Sequence, residues 1–225
     1  MFRNAIYAFF IAAMFSTAAL GQGNAVTPAP TPTATPIVKK TNERPPEKPA
    51  VEPYDKADVK TMAALCVKVD TEAGPIEMEM FPESAPETVR NFLNLVATGM
   101  LDTTTFSRVV PGFVIQGGDL YSREGKVTYA IGMRARKTVP DEPNKILHDR
   151  GIVSMARSDE ANSATTNFFI LVGPGHHLDG VFAAFGRVTA GMEVADAINK
   201  APGENEKPAK PVRIKKAFVQ ACPIK

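Results

Sequence analysis

The amino-acid sequence predicts a mainly β domain whose strands form an antiparallel sheet that closes into a barrel or packs as a sandwich. Eight short apolar runs, separated by turn residues, lie between residues 64 and 219. Only two segments in this region place apolar residues at helical spacing, so helices are few. Upstream, residues 26–54 contain eight prolines, which favour neither a helix nor a strand ladder. The folded domain is therefore predicted to occupy residues 61–225, behind a separate N-terminal segment.

The composition argues against several classes of function. The chain has 225 residues with 26 basic and 24 acidic side chains, which gives a formal charge of +2. This balance argues against a nucleic-acid or anionic-membrane partner, either of which needs a strongly basic surface. Two cysteines and three histidines exclude a four-thiolate zinc site and leave little material for any metal centre. We therefore expect no cofactor and no metal, and we expect a monomer.

The first residues have the pattern of an export signal. Arg3 is the only charged side chain before Lys39, and the 16 residues 5–20 are all apolar or small. Such a run is short for a membrane span, which needs about 20 residues, and suits the hydrophobic region of a signal peptide. Small residues at Ala19 and Gly21 predict a signal peptide over residues 1–21 and an exported, periplasmic chain. An uncleaved membrane anchor is the alternative, and it would make the chain a structural protein of the cell envelope.

Residues 22–60 are predicted to form a linker. The prolines are interspersed with Thr, Ala, Lys and Glu, and the segment lacks the apolar surface that offsets the entropy of ordering. An extended, semi-rigid tether is therefore expected. A proline-rich ligand for a partner domain is the alternative.

The eight predicted strands are residues 64–69, 75–81, 106–109, 113–116, 152–156, 168–172, 181–188 and 212–219. The second is the clearest, because Ile76, Met78 and Met80 alternate with glutamates as in a half-buried strand. Eight strands suffice for a closed barrel filled by its own side chains, and two helices would then cover its open ends.

The first predicted helix begins near Pro86 and runs to about Thr98, with Ser84 and Glu87 forming a capping box. The second spans about Met192 to Asn199. Residues 120–150 are rich in charge and glycine, and they are predicted to form an irregular surface loop.

Three segments are the most informative. They are FSRVVPGFVIQGGD from Phe106 to Asp119, SMARSDEANSATTNFFI from Ser154 to Ile170, and HLDGVFAAFGRV from His177 to Val188. In this order and spacing they resemble the cyclophilin family of peptidyl-prolyl cis-trans isomerases, and most closely its bacterial exported branch. The resemblance extends from about Leu65 to Cys222. It implies a closed eight-stranded antiparallel barrel capped by two helices, with a groove that binds Xaa-Pro segments of folding proteins.

The resemblance also implies roles for individual residues. The catalytic arginine of the family falls on Arg108, and the glutamine that binds the substrate backbone falls on Gln116. The floor of the proline pocket falls on Phe113, Val114, Phe169 and Leu178. The remaining substrate-binding positions fall on Ala156, Arg157, Asn167, His177 and Phe182.

Four positions depart from the commonest pattern of the family, namely Ser107, Asn167, His177 and Phe182. They leave two hypotheses open. The first is an isomerase that assists the folding of exported proteins. The second is a proline-peptide-binding or chaperone module of the same fold with little turnover. Turnover of a proline peptide distinguishes the two.

Arg108 suits the chemistry of amide rotation. The barrier of about 18–20 kcal/mol arises from the double-bond character of the C–N bond, which is lost when the bond is twisted. The proline nitrogen then gains a lone pair, and a guanidinium that donates to it stabilises only the twisted state. Arg108 stays protonated and offers several donors from a fixed fork.

Two further points concern side chains near these motifs. Because neighbouring strand residues face opposite sides, only one of Phe168 and Phe169 reaches the groove, and by resemblance it is Phe169.

Ser154, His177 and Asp179 are the residue types of a hydrolase triad, but no GxSxG motif surrounds Ser154, so this interpretation is not favoured.

Cys66 and Cys222 are the only cysteines. The alternation of each strand places both on its polar face. The resemblance implies that the first and last strands are antiparallel neighbours, which brings the two residues within reach of a disulfide. Export would deliver them to an oxidising compartment. A one-residue shift in register would separate them, so a disulfide and two free thiols both remain open.

Overall fold

The computed structural model describes residues 51–223. The predicted signal peptide, residues 1–21, and residues 22–50 of the predicted linker lie outside the described part. One antiparallel sheet of eight strands dominates the fold, in the order β10-β1-β2-β7-β5-β6-β4-β3. Its strands are β1 (Leu65–Thr71), β2 (Gly74–Met80), β3 (Arg108–Val110), β4 (Val114–Gly117), β5 (Ile152–Met155), β6 (Phe168–Leu171), β7 (Ala184–Ala190) and β10 (Ile214–Ala221). A short hairpin, β8 (Gly203–Glu204) and β9 (Lys207–Pro208), stands apart from the sheet.

The two edge strands of the sheet, β3 and β10, are brought together just before β3 begins. Thr105 forms an isolated antiparallel bridge with Arg213. The amide of Phe106 donates to the carbonyl of Val212 at 2.9 Å, and the amide of Ile214 donates to the carbonyl of Thr104 at 2.8 Å. The strand ladder itself ends at β3 and β10, so the predicted barrel is closed only by this bridged segment.

The predicted mainly β fold with two principal helices is confirmed. Helix α2 (Pro86–Ala97) and helix α4 (Met192–Asn199) match the two helices predicted from apolar spacing. Phe92 of α2 packs into the core, with its ring 5.1 Å from that of Phe168 and 5.0 Å from that of Phe185. Two short helices, α1 (Val59–Ala63) and α3 (Tyr129–Arg134), were not expected from the sequence.

The predicted capping box of α2 is wrong. Ala85 is the residue at the N-cap, and its side chain makes no capping hydrogen bond. Instead the carboxylate of Glu142 accepts from the amides of Glu87 and Thr88, at 3.0 and 2.8 Å. The carboxylate of Glu142, more than 50 residues further along the chain, thus accepts hydrogen bonds from free amides of the first turn. Its negative charge also complements the helix dipole.

Residues 51–60, the last part of the predicted linker, belong to the folded unit. Glu52 is only 8% exposed, and its carboxylate oxygens lie 2.5 Å from Arg134 Nε and 2.6 Å from Lys137 Nζ. The amide of Tyr54 donates to the side chain of Asn94 at 2.7 Å. These partners lie 40 residues or more further along the chain. The proline-rich composition of the segment itself therefore could not predict them.

Residues 120–150, predicted to be a surface loop, are also more ordered than expected. Leu120 and Val139 are buried in the barrel core, and His148 is completely buried. The segment therefore contributes to both the core and the groove side of the domain.

Cys66 and Cys222 are joined by a disulfide, with their Cα atoms 4.8 Å apart. Cys66 pairs directly with Gln220 across β1 and β10, so Cys222 lies two residues further along and on the same face. Bonded to Cys222, Cys66 is only 5% exposed, although the alternation places it on the polar face. Among residues 51–223, no helix has the length and hydropathy of a membrane span.

Candidate active site

A row of four side chains crosses the outer face of the sheet. Arg108 of β3 faces Gln116 of β4, Gln116 faces Phe169 of β6, and Phe169 faces Ser154 of β5. Directly opposed residues on antiparallel strands project to the same side of a sheet. The strand register therefore places Arg108, Gln116 and Phe169, which are far apart in sequence, in one line.

The guanidinium of Arg108 is held at two of its three nitrogens. Its Nη1 donates to Gln116 Oε1 at 3.2 Å, and its Nε donates to Glu206 Oε2 at 2.7 Å. No described residue accepts a hydrogen bond from Nη2. The side chain is 42% exposed, so a charged donor with a fixed direction is accessible to a bound peptide.

An apolar cluster separate from the barrel core continues the row. Phe169, at 6% exposure, and Val114, at 2%, form its buried base. Phe113, Leu178, Phe182 and Ala156 are partly buried against it. Phe168, the neighbour of Phe169, lies instead in the barrel core at 0% exposure. The two rings thus lie in different clusters, as predicted from the alternation of the strand.

Aromatic side chains form the walls of this cluster. The rings of Phe169 and Phe182 stand edge to face, 6.0 Å apart, and Arg157 Cζ lies 5.1 Å above the ring of Phe182. At the other side, the exposed ring of His177 lies 5.2 Å from the ring of Phe113. The arrangement is an apolar groove with cationic or polar groups at its margins, as a proline ring flanked by backbone amides requires.

The strand end beside the groove offers backbone groups. The amide of Ala156 donates to the carbonyl of Asn167 at 3.0 Å, which ties the two predicted substrate-binding positions together. No described residue donates to the carbonyl of Ala156. This carbonyl remains for pairing with an extended peptide, whereas the amide does not.

One glycine that sequence reasoning did not single out shapes the pocket. A Cβ at Gly175 would lie 2.6 Å from Leu171 Cδ2 and 2.9 Å from Phe113 Cε2. At such distances the side chains of Leu171 and Phe113 would have to move, so glycine lets the loop before His177 pack closely on Phe113 as it stands. Its position in the sequence, two residues before the predicted site residue His177, was the only available signal.

Next to Phe169, through Ser154 of the same row, lies a buried polar network that the sequence indicated only in part. Ser154 Oγ is 3.0 Å from His148 Nε2, and His148 Nδ1 is 3.0 Å from Asp179 Oδ1. Ser154 and Asp179 are thus brought together, but through His148 and not through His177. Burial lowers the pKa of His148, while the hydrogen bond to Asp179 opposes this shift. The pKa of Asp179 is lowered, chiefly by the hydrogen bond that it accepts from the His148 amide.

This network does not form a hydrolase site. Ser154 is completely buried, so no peptide carbonyl reaches its Oγ. The same Oγ also lies 2.9 Å from the carbonyl of Ala183, an acceptor for the hydroxyl proton. The network instead fixes β5 against the segments that carry Asp179 and Ala183, beside Phe169 in the cross-strand row.

A cleft of about 370 Å³ lies elsewhere on the described surface, between Pro111, Asp196 and Lys200. It contains none of the predicted site residues, although Pro111 and Gly112 at its edge belong to the segment from Phe106 to Asp119. Within residues 51–223, no three His, Cys, Asp or Glu side chains form a cluster able to hold a metal ion.

The fold and the groove are those of a β-barrel that binds proline-containing peptides. Comparison with known families shows which family of such barrels the protein belongs to. Residues 66–219 match the family model described as cyclophilin type peptidyl-prolyl cis-trans isomerase/CLD. Since this match spans more than half of the chain, the protein belongs to the cyclophilin family.

Two relatives show how far the similarity extends. The chain is 37% identical over 167 residues to peptidyl-prolyl cis-trans isomerase A of Dickeya dadantii, covering 70% of this chain and 83% of that protein. It is 38% identical over 160 residues to peptidyl-prolyl cis-trans isomerase cypE of Dictyostelium discoideum, covering 69% and 98%.

A solved structure agrees with these relatives. The crystal structure of a cyclophilin type peptidyl-prolyl cis-trans isomerase of Cryptosporidium parvum, in the presence of the dipeptide Ala-Pro, matches with a TM-score of 0.61. The sequences are 30% identical, and the match covers 70% of this chain and 99% of that one. The protein is therefore a cyclophilin-type peptidyl-prolyl cis-trans isomerase.

Proposed function

We propose that this isomerase acts on Xaa-Pro bonds of exported proteins, with Arg108 as its catalytic residue. The observation that carries the proposal is the fixed guanidinium of Arg108, which lies in one cross-strand row with Gln116 and Phe169. The proline ring binds against Phe113 and Phe169, and Gln116 binds the flanking backbone.

Catalysis by this arrangement needs no covalent intermediate. The apolar groove holds the ring while the preceding carbonyl rotates, and Arg108 donates to the proline nitrogen as its lone pair develops. Each tenfold in rate requires about 1.36 kcal/mol of preferential stabilisation of the twisted state. A charge-assisted hydrogen bond contributes roughly 1.5–3 kcal/mol, which corresponds to about one to two decades.

Two features support export to an oxidising compartment. The first is the signal-like pattern of residues 1–21. The second is the disulfide between Cys66 and Cys222, which involves both cysteines of the chain. Disulfides persist in the periplasm and are rare where thiols are kept reduced.

A coupled assay on an uncharged Xaa-Pro tetrapeptide tests the enzymatic proposal. We expect acceleration of cis-trans exchange that grows linearly with protein concentration. Binding of the same peptide without acceleration would instead support the non-catalytic binding module, for which Ser107, Asn167 and Phe182 are the motivating positions. Fractionation of cells that express the full chain tests the location: release with the periplasmic contents supports it, and retention in the membrane pellet would support the anchored alternative.

A further inference from the structure

The hairpin of β8 and β9 presents a carboxylate to the catalytic arginine. Its strands pair Gly203 with Pro208 and Glu204 with Lys207, which leaves Asn205 and Glu206 as a two-residue turn. Both turn residues have positive φ, 50° for Asn205 and 63° for Glu206. This is the geometry of a type I′ turn, which favours glycine, asparagine or aspartate at both positions.

Glu206 is therefore an unusual residue for its own backbone conformation. A glutamate at positive φ is strained, whereas glycine would be unstrained there. The turn is nevertheless fixed next to the site, because the amide of Val109 donates to the carbonyl of Glu206 at 2.8 Å. Val109 directly follows Arg108, so the backbone contact places the Glu206 side chain beside the guanidinium.

We propose that Glu206 is a positioning residue for Arg108, an inference that rests on the proposed catalytic role of Arg108. The carboxylate accepts from Nε at 2.7 Å, and Gln116 accepts from Nη1 at 3.2 Å. Two acceptors on different nitrogens fix the plane of the guanidinium and leave Nη2 as the donor for the twisted proline nitrogen. Holding Arg108 in this geometry before peptide binds lowers the entropic cost of reaching the transition state.

The proposal predicts a specific kinetic pattern. The Glu206→Gln variant keeps an acceptor of the same size and loses the charge, and the Glu206→Gly variant loses both while relieving the strained backbone. We expect kcat/KM to fall about threefold in the first variant and about tenfold in the second. Peptide affinity should stay within twofold of wild type, because the groove is unchanged. Thermal stability should be unchanged or higher in Glu206→Gly, so a loss of activity there is not a loss of fold.

Ionic strength gives a second, independent measurement. An exposed ion pair is screened by salt, so wild-type kcat/KM on an uncharged peptide should decline between about 0.05 and 1 M salt. The decline should be smaller in Glu206→Gln. The control is Glu204→Gln, which removes the same charge from the same hairpin but not from the Arg108 contact, and it should retain the wild-type rate and salt response.

The outcomes separate the two proposals. If the wild type turns over peptide and Arg108→Ala does not, but both Glu206 variants keep the wild-type rate and salt dependence, the positioning role is overturned. If peptide affinity falls as much as kcat/KM, Glu206 acts in binding and the positioning role is likewise overturned. If wild type and Arg108→Ala are equally active, it is the catalytic assignment of Arg108 that fails.

Discussion

Phe168 and Phe169 are adjacent in β6, yet their rings lie in two separate apolar clusters. Phe168 packs against Phe92 and Phe106 in the barrel core, whereas Phe169 packs against Phe182 in the groove. The pleat of one strand thus directs one ring into the barrel core and the neighbouring ring into the proposed peptide groove.

This division predicts different effects for the same substitution at the two positions. Phe168→Ala should lower the free energy of unfolding by about 3–5 kcal/mol, as truncation of a fully buried phenylalanine does. Phe169→Ala should cost less stability, because its ring borders the open groove, and should weaken peptide binding at least tenfold. Urea unfolding and peptide titration at a temperature where both variants are folded measure the two effects. Equal loss of peptide affinity in both variants would contradict the assignment of Phe169 to the groove.

The catalytic assignment of Arg108 predicts loss of rate without loss of stability. Arg108→Ala should lower kcat/KM at least tenfold, because its hydrogen bond to the proline nitrogen exists only in the twisted state. The melting temperature should change little, since an exposed ion pair contributes only about 0–1 kcal/mol. The matched control is Arg187→Ala, which removes a similarly exposed, ion-paired arginine from β7. An unaltered rate in Arg108→Ala, or an equal loss in Arg187→Ala, would contradict the assignment.

Local patterns were enough to predict the strands but not the interactions between distant segments. All eight predicted strands of the sheet are present, because each has an apolar run that alternates or is fully buried. The cap of α2 by Glu142, the burial of Glu52 against Arg134 and the contact of Glu206 with Arg108 connect residues 54 to 98 positions apart. The spacing of apolar residues within one segment gives no information about such contacts. The residues of the groove were found only because their motifs resemble a known family.

The His148 network shows the same limit and yields a prediction about pH. Burial lowers the pKa of His148 in the folded state below the value of about 6.5 in the unfolded chain. Below that pH the unfolded state binds more protons, so the stability of the fold should decline as pH falls through this region, by at most about 1.4 kcal/mol per pH unit. The lowered pKa of Asp179 has the same sign but acts only below about pH 4.

Urea unfolding between pH 7.5 and 5 measures this effect. The slope of stability against pH should be smaller in His148→Gln than in wild type. His176, whose ring faces Asp149 and Asp179, and His177 remain in both proteins, so the difference in slope reports on His148. The matched control is His177→Gln, which makes the same substitution at an exposed position. Equal slopes in wild type and His148→Gln would show that the buried imidazole does not control acid stability.

The disulfide between Cys66 and Cys222 predicts that the stability of the fold depends on an oxidising environment. The activity of the groove should not depend on it. The bond closes a loop of 156 residues and should stabilise the fold by on the order of 5 kcal/mol through the entropy of the unfolded chain. The double variant Cys66→Ala and Cys222→Ala should lose about 2–5 kcal/mol, and kcat/KM should stay near wild type below the melting temperature, since no groove residue lies on β1 or β10. Reductant should destabilise the wild type and leave the double variant unchanged, which controls for other effects of the reagent. Thiol titration of the denatured, unreduced protein should find no free thiol, and two free thiols per chain would contradict the bond.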